Sequence, residues 1–339
     1  MTIPVAHAAG TGREMGRTQG ETFAEEIRDA VAFYAALVPK NAGLGPSWER
    51  LGPFIEASRK HVPELAEEVD GLAEGSGVDP EAVWFLNCIE ELWPFEACTT
   101  IVDGRWLMHA EQWYARHSGI GVVVAQPDNG PAFVSPTCAG FLPAVGLNAS
   151  GFAQGVNSLK ILDVREGIPR LLVSREALGA NDMQDAVSAA TRPHRAGGYS
   201  HVLVTRHQRL TVETSATRSS ILVEEKAHTN HVLSRNLAGV ASGSTEGSRA
   251  RLERALKLLE TKPPKSMEDC MALLADHDSE PQSICLHGDG SPGASATVFG
   301  MVCDLDKGRV AVSVGQPCSG EWDEYVVRGF VTAEVSHVG

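Results

Sequence analysis

The hydrophobic period of this chain changes from helical to strand-like near residue 98, and that change limits what it can fold into. Before it, apolar residues recur at helical spacing. Phe23, Ile27, Val31, Tyr34 and Leu37 fall on one face, with Glu25, Glu26 and Arg28 between them. The stretch 41–46 breaks that helix, a second is predicted over 51–61, and Leu65, Val69 and Leu72 mark a third. Asp79-Pro80-Glu81 supplies an N-cap, a proline at the first helical position and a first-turn acid. From there Val83, Leu86, Ile89 and Leu92 make a further stripe, which Pro94 ends. Residues 1–97 therefore read as a helical part, and residues 98–339 as a second part of different character.

After Cys98 the alternation is that of strands. Residues 99–102 and 106–110 flank Asp103-Gly104 as a hairpin, and short strands follow at 121–125, 132–135, 144–147 and 151–156. A helix is predicted over 170–190, strands over 201–205, 209–213 and 220–223, and helices over 248–259 and 267–274. The end reads as another hairpin, 297–304 with 309–314, turning at Asp306-Lys307-Gly308. Runs of strands, then helices, then strands favour sheets layered with helices, an α+β fold, over a regular βαβ repeat.

A net charge of −14 argues against nucleic acid or an anionic membrane surface as partner, because it repels phosphate at long range. No stretch reaches the length of a transmembrane helix. The seven cysteines are widely spaced and contain no C-x-x-C pair, which is neither a disulfide framework nor a zinc ribbon. With a start lacking the basic head and apolar core of a signal peptide, a reducing cytoplasm is the expected home.

Gly10-Thr11-Gly12-Arg13-Glu14-Met15-Gly16 is one residue too long for a dinucleotide fingerprint, and no strand is predicted before it. His228-Thr229-Asn230-His231 places two histidines three apart, but no acidic or cysteine ligands lie nearby in sequence, so no metal is expected. Asn230 in that tetrapeptide has an amide suited to an oxyanion hole, or alternatively to satisfying a turn. In the segment 146–158, Asn148 to Gly151 form the turn of a hairpin and make Asn148 structural, while Asn157 closes the second strand facing a cleft. Cys98, at the helix-to-strand boundary, is either a small buried hydrophobe or a thiol placed to attack the carbonyl of Ala97. That attack would cut the chain and leave Cys98 with a free α-amine beside its own sulfur, as a base.

Cys98-Thr99-Thr100, the stretch Gly146-Leu147-Asn148 through Gly155-Val156-Asn157-Ser158-Leu159, and His228-Thr229-Asn230-His231 occur in this order. Together they resemble the acyl-CoA:6-aminopenicillanic acid (isopenicillin N) acyltransferase family of self-cleaving acyltransferases and hydrolases. Similar pieces are Pro63-Glu64-Leu65, Gly71-Leu72-Ala73-Glu74-Gly75, Ser283-Ile284-Cys285-Leu286-His287 and Gly315-Gln316-Pro317-Cys318, so the resemblance spans nearly the whole chain. It implies an N-terminal-nucleophile hydrolase, an αββα four-layer sandwich whose helical segment stays attached after cleavage between Ala97 and Cys98. Cys98 would be the nucleophile, Asn230 the oxyanion asparagine and Asn157 a second contributor. One departure is that the family's Asn-x-Asp on the next strand is Ala110-Glu111-Gln112 here. The orienting of the amine would fall to Gln112 or to Glu111.

The expected activity is that of a cysteine amidohydrolase or acyltransferase that needs no cofactor or metal. Water or an amine would take the acyl group, and a non-catalytic binding protein on the same scaffold is the alternative. Its partner would be a small N-acyl compound bearing a carboxylate. That expectation rests on Arg105, His109, Arg116 and His117 beside the aromatics Trp93, Phe95, Trp106, Trp113 and Tyr114. The two parts of one precursor would stay associated, and self-association into homo-oligomers is left open.

Overall fold

A computed structural model describes residues 3–37, 50–93, 98–115, 119–242, 246–291 and 293–330. The chain opens with strand β1 (Val5–Gly10) and helices α1 (Gly12–Thr22), α2 (Ala24–Leu37), α3 (Gly52–His61), α4 (Pro63–Ser76) and α5 (Pro80–Leu92). Seven-tenths of the chain follows as strands with helices between. They are β2 (Cys98–Asp103), β3 (Trp106–Tyr114), β4 (Ile120–Pro127), β5 (Phe133–Cys138), β6 (Gly146–Asn148) and β7 (Ala153–Ser158). Then come α6 (Arg170–Leu178), α7 (Met183–Ala190), β8 (Tyr199–Val204), β9 (Arg209–Thr214), β10 (Ser219–Val223) and β11 (Ala227–His228). The chain continues with α8 (Glu246–Thr261), α9 (Met267–Leu274), β12 (Ser295–Asp304), β13 (Arg309–Ser313) and β14 (Trp322–Val326).

Two sheets form. One has eight strands in the order β1-β4-β5-β6-β7-β8-β9-β10, the other six in the order β11-β2-β3-β12-β13-β14. They face each other where β7 meets β2 and β3. Helices α6 and α7 cover the outer face of the larger sheet, while α8 and α9 cover the smaller one. The result is the αββα sandwich. Burial on both faces explains why β3 and β8 are apolar or sealed along nearly their whole length rather than cleanly alternating.

The first part is not all helix. Val5–Gly10 pairs in parallel with β4, in register Val5↔Val122. A strand therefore does precede the glycine segment, and Gly12, Gly16 and Gly20 serve helix packing. A Cβ at each would strike the carbonyl oxygens of Glu64, Glu68 and Leu72 on α4, and Gly71 and Gly75 answer against Arg13 and Arg17. Glycine on both sides lets α1 and α4 touch backbone to backbone. The helix predicted over 170–190 is two helices, because Asp182 caps a new start by accepting from the Asp185 N–H. Asn148 is structural as expected: its Nδ2 donates to the Leu178 and Ala180 carbonyls and its Oδ1 accepts from the Ser150 N–H.

Candidate active site

Cys98 opens β2 at the point where β2, β7 and β8 end or begin together, and its side chain is almost fully buried. Strand alternation decides which neighbours it meets. In the β2–β3 hairpin Cys98 is opposite Glu111 and Thr100 is opposite His109, so these four share the face toward the larger sheet. Cys98 Sγ donates to Glu111 Oε1 at 3.4 Å. Glu111 Oε2 is 2.9 Å from His109 Nε2, and His109 Nδ1 is 2.9 Å from Thr100 Oγ1. A thiol, a carboxylate, an imidazole and a hydroxyl thus form one chain of contacts.

Gln112, one residue on, points the other way. Its Nε2 donates to the Ser283 and Ile284 carbonyls at 3.1 and 2.9 Å, fastening a loop on the far side of the smaller sheet. The structure therefore brings Glu111, and not the Gln112 side chain, to the sulfur. Ala110 is buried against the same far side.

Asn230 arrives from the loop after β11. Its Oδ1 accepts from the Cys98 backbone N–H at 2.9 Å and from Arg251 Nη2 at 2.9 Å. Two donors on that atom identify it as the oxygen, which leaves Nδ2 to donate to the Ser158 carbonyl at 3.1 Å. The Asn230 backbone N–H donates to Ser248 Oγ at 2.8 Å. Arg251 on α8 also donates from Nη1 to the Cys98 carbonyl at 2.6 Å and to Thr99 Oγ1 at 2.9 Å. One guanidinium therefore grips both sides of residue 98 together with the asparagine that orients it.

Asn157 lies on the face of β7 that carries Gly155, and Gly155 packs on the Thr100 side chain of β2. Asn157 is fully buried, yet neither its amide nitrogen nor its oxygen finds a partner among the described residues. The hydroxyl of Ser200, its cross-strand neighbour, is likewise unpaired among them. His228 instead locks onto Glu213, its Nε2 at 2.9 Å from Oε1, joining the two sheets, and His231 Nδ1 meets Ser248 Oγ at 2.8 Å. These two histidines are occupied structurally. Ala97, Phe95, Arg116 and His117 lie outside the described residues.

A cavity of about 80 Å³ opens onto Cys98, walled by Trp113, Phe141, Val145, Val156 and Leu171. Its polar lining includes Glu111 and a residue sequence reasoning did not single out, Glu90. Glu90 Oε2 accepts from Ser158 Oγ at 2.6 Å, and its other oxygen accepts from the Tyr199 hydroxyl. Burial pushes its pKa up to about 7, against the opposing pull of Arg170. Arg170 is mainly committed to Glu91, with Nε at 2.9 Å from Oε1. Burial, followed by the charges of Glu111 and Glu90, holds the Cys98 thiol well above the usual range, while backbone groups of Gln112 and Ser158 pull it down. Arg105 does not line the cavity. It stacks on Trp106 at 4.4 Å and pairs with Asp304 and Asp306 at 3.5 and 3.3 Å.

The family model for acyl-coenzyme A:6-aminopenicillanic acid acyl-transferase matches residues 99–319 of this chain. No curated protein sequence matches it. Among solved structures, a mutant conjugated bile acid hydrolase from Clostridium perfringens is similar with a TM-score of 0.45 and 10% identity. The match covers 72% of this chain and 100% of that one. Penicillin V acylase from Agrobacterium tumefaciens is similar with a TM-score of 0.43 and 12% identity, covering 64% of this chain and 82% of that one.

Proposed function

Because the chain belongs to the acyl-coenzyme A:6-aminopenicillanic acid acyl-transferase family, we propose that it is a self-processing acyl-transfer or amide-hydrolysing enzyme whose nucleophile is Cys98. The observation that carries this reading is the hold on residue 98. Its N–H rests on Asn230 Oδ1, its carbonyl rests on Arg251, and its sulfur faces the cavity. Any buried residue needs its backbone groups paired, but one used only as a small hydrophobe does not need a sulfur that faces a cavity beside a carboxylate.

In the uncleaved chain the Cys98 nitrogen is an amide and cannot act as a base. Glu111 is the group positioned to take the thiol proton, with His109 behind it. Attack of the thiolate on the Ala97 carbonyl moves the acyl group from nitrogen to sulfur, and water then releases residues 1–97. The new α-amine, with an ordinary pKa of about 7.7–8, stays on Asn230 Oδ1 and becomes the base for turnover. A substrate amide or thioester next acylates the sulfur, its leaving group receives the proton held by the amine, and water or an amine takes the acyl group. An amide nitrogen carries two protons. Asn230 can keep one on Ser158 and offer the second to the tetrahedral oxyanion, with the unpaired Asn157 amide as the other donor.

The substrate is a small N-acyl compound whose acyl group enters the apolar cavity. No lysine or arginine lines that cavity among the described residues. A carboxylate on the substrate would therefore sit outside the apolar part of it. Hydrolysis is the first reading and acyl transfer the second. A panel of N-acyl amino acids, uncharged amides, β-lactams and acyl-CoA thioesters, assayed with and without an amine acceptor, tests the assignment. Turnover of N-acyl amino acids with a transient acyl mass on the fragment beginning at Cys98 is expected. Transfer outrunning hydrolysis selects the second reading. Activity confined to uncharged amides removes the carboxylate. Absence of any acyl adduct on Cys98 across the panel leaves the non-catalytic scaffold as the better account.

A further inference from the structure

We propose that this protein carries a tetrahedral zinc site, distinct from the Cys98 site, formed by His277, Cys285, His287 and Cys318. These residues come from three segments. His277 follows α9, Cys285 and His287 lie on the loop before β12, and Cys318 belongs to the single turn Pro317–Ser319. Their ligand atoms all lie within 4.8 Å of one another. His287 Nε2 is 3.0 Å from His277 Nε2, 3.4 Å from Cys318 Sγ and 3.9 Å from Cys285 Sγ.

Hydrogen bonding alone does not account for this convergence. An imidazole nitrogen has one proton to give or one lone pair to accept with, yet three nitrogen or sulfur atoms close on this one. A shared ion at the centre satisfies all four at once. Zinc bonds of about 2.0–2.1 Å to nitrogen and 2.3 Å to sulfur put tetrahedral ligands roughly 3.3–3.8 Å apart, close to the spacing found. Two cysteines with two histidines is a set zinc favours over calcium or magnesium. On binding, each thiol gives its proton to solvent, and two thiolates with two neutral imidazoles leave the zinc centre uncharged.

The surroundings hold the ligands in place. The Cys285 N–H donates to the Asp276 carbonyl at 2.9 Å, the Leu286 N–H to Thr297 Oγ1 at 2.8 Å, and Gln316 Nε2 to the Leu286 carbonyl at 3.2 Å. Just upstream, Gln112 clasps the Ser283 and Ile284 carbonyls. All four zinc positions come from protein, so the ion is structural. It ties the loop after α9 and the turn at Pro317 to the back of β3, the strand that presents Glu111 to Cys98.

The test uses the full chain purified without chelator from zinc-supplemented culture. Elemental analysis should find one zinc per chain, and cobalt exchanged for it should give the visible bands of a tetrahedral thiolate site. His277→Ala and Cys318→Ser should each lower zinc affinity by more than about 100-fold, beyond what losing an outer-shell partner costs. Chelation should lower the melting temperature of wild type. His207→Ala, an exposed histidine elsewhere, and Cys98→Ala, which dismantles the other cysteine-histidine cluster, should keep the full complement. Protein that holds no zinc even after incubation with it under reducing conditions overturns the proposal. So does a Cys285–Cys318 disulfide in the reduced-compartment protein, or full zinc retention in both ligand variants.

Discussion

At the scale of single residues, Asn230 does two jobs that one substitution would remove together. Its oxygen receives the Cys98 N–H and Arg251, and its nitrogen holds the Ser158 carbonyl. Asn230→Ala should cut turnover by about 10²–10³, the usual cost of losing an oxyanion donor. Stripping partners from buried groups should also cost about 1–3 kcal/mol per orphaned group, so the melting temperature should fall as well. Unchanged turnover would reduce Asn230 to a turn residue. Glu111→Gln sets two effects against each other. It removes a charge that holds the thiol pKa up, and it removes the base for self-cleavage. A general base contributes about 10²–10⁴, so the loss should dominate and uncleaved chain should accumulate. Cleavage at the wild-type rate would place the base elsewhere. Glu90 adds a pH effect on catalysis. As pH rises through about 7 it gains charge beside the sulfur, which disfavours the thiolate, so activity should decline there. Glu90→Gln should abolish that step in the pH profile, and its persistence would exonerate Glu90.

At the scale of elements, the close contact of α1 with α4 is the part of the fold most exposed to a small change. Gly16→Ala would add about 1 kcal/mol of intrinsic helix preference. It would also drive a methyl group into the Glu68 carbonyl of α4, and overpacking of that kind typically costs about 1–3 kcal/mol. The clash should win, so thermal unfolding should shift downward; an unchanged or higher melting temperature would mean that the helices separate freely. This scale also shows what the sequence made legible. The hairpin at Asp103-Gly104, α5 after its Asp79 cap and α9 were readable because their signals are local. Strand β1 was not, since Val-Ala-His-Ala-Ala has little strand character and is held by pairing with β4. Strand β14 alternates weakly because it is a half-exposed edge. The proposed grouping of Cys98, Asn157 and Asn230 was readable only through the order of their motifs. Arg251 sits in a charged run on α8 that looks solvated, and its partners Cys98 and Thr99 lie on β2, 153 and 152 residues away. A signal for Glu90 did exist. Glu90 follows eight consecutive buried residues of α5, Ala82 to Ile89, so its carboxylate is held at the edge of the core and only partly covered.

At the scale of the whole molecule, the sandwich buries ionisable groups whose pH linkages oppose one another. Burial, then Arg195, pushes His201 down to about 3, and burial with His228 pushes His231 down to about 4. An unfolded histidine takes its proton near 6.5, so both withdraw stability as pH falls from about 6.5. Glu90 acts in the other direction. Its folded pKa near 7 exceeds the unfolded value of about 4.3, so it withdraws stability as pH rises between the two. His201→Gln should therefore flatten the acid limb of stability against pH, whereas Glu90→Gln should steepen the net loss on acidification. Equal slopes in all three proteins would contradict these burial effects. The smaller sheet, the hold on residue 98 and the cavity all serve one claim, that Cys98 becomes an N-terminal nucleophile. Intact-mass measurement with N-terminal sequencing of wild type and Cys98→Ala tests it most directly. Two wild-type fragments, 1–97 and 98–339, beside a single chain for the variant are the result the account predicts. Catalytically active wild-type protein with residue 98 still joined to Ala97 would contradict it.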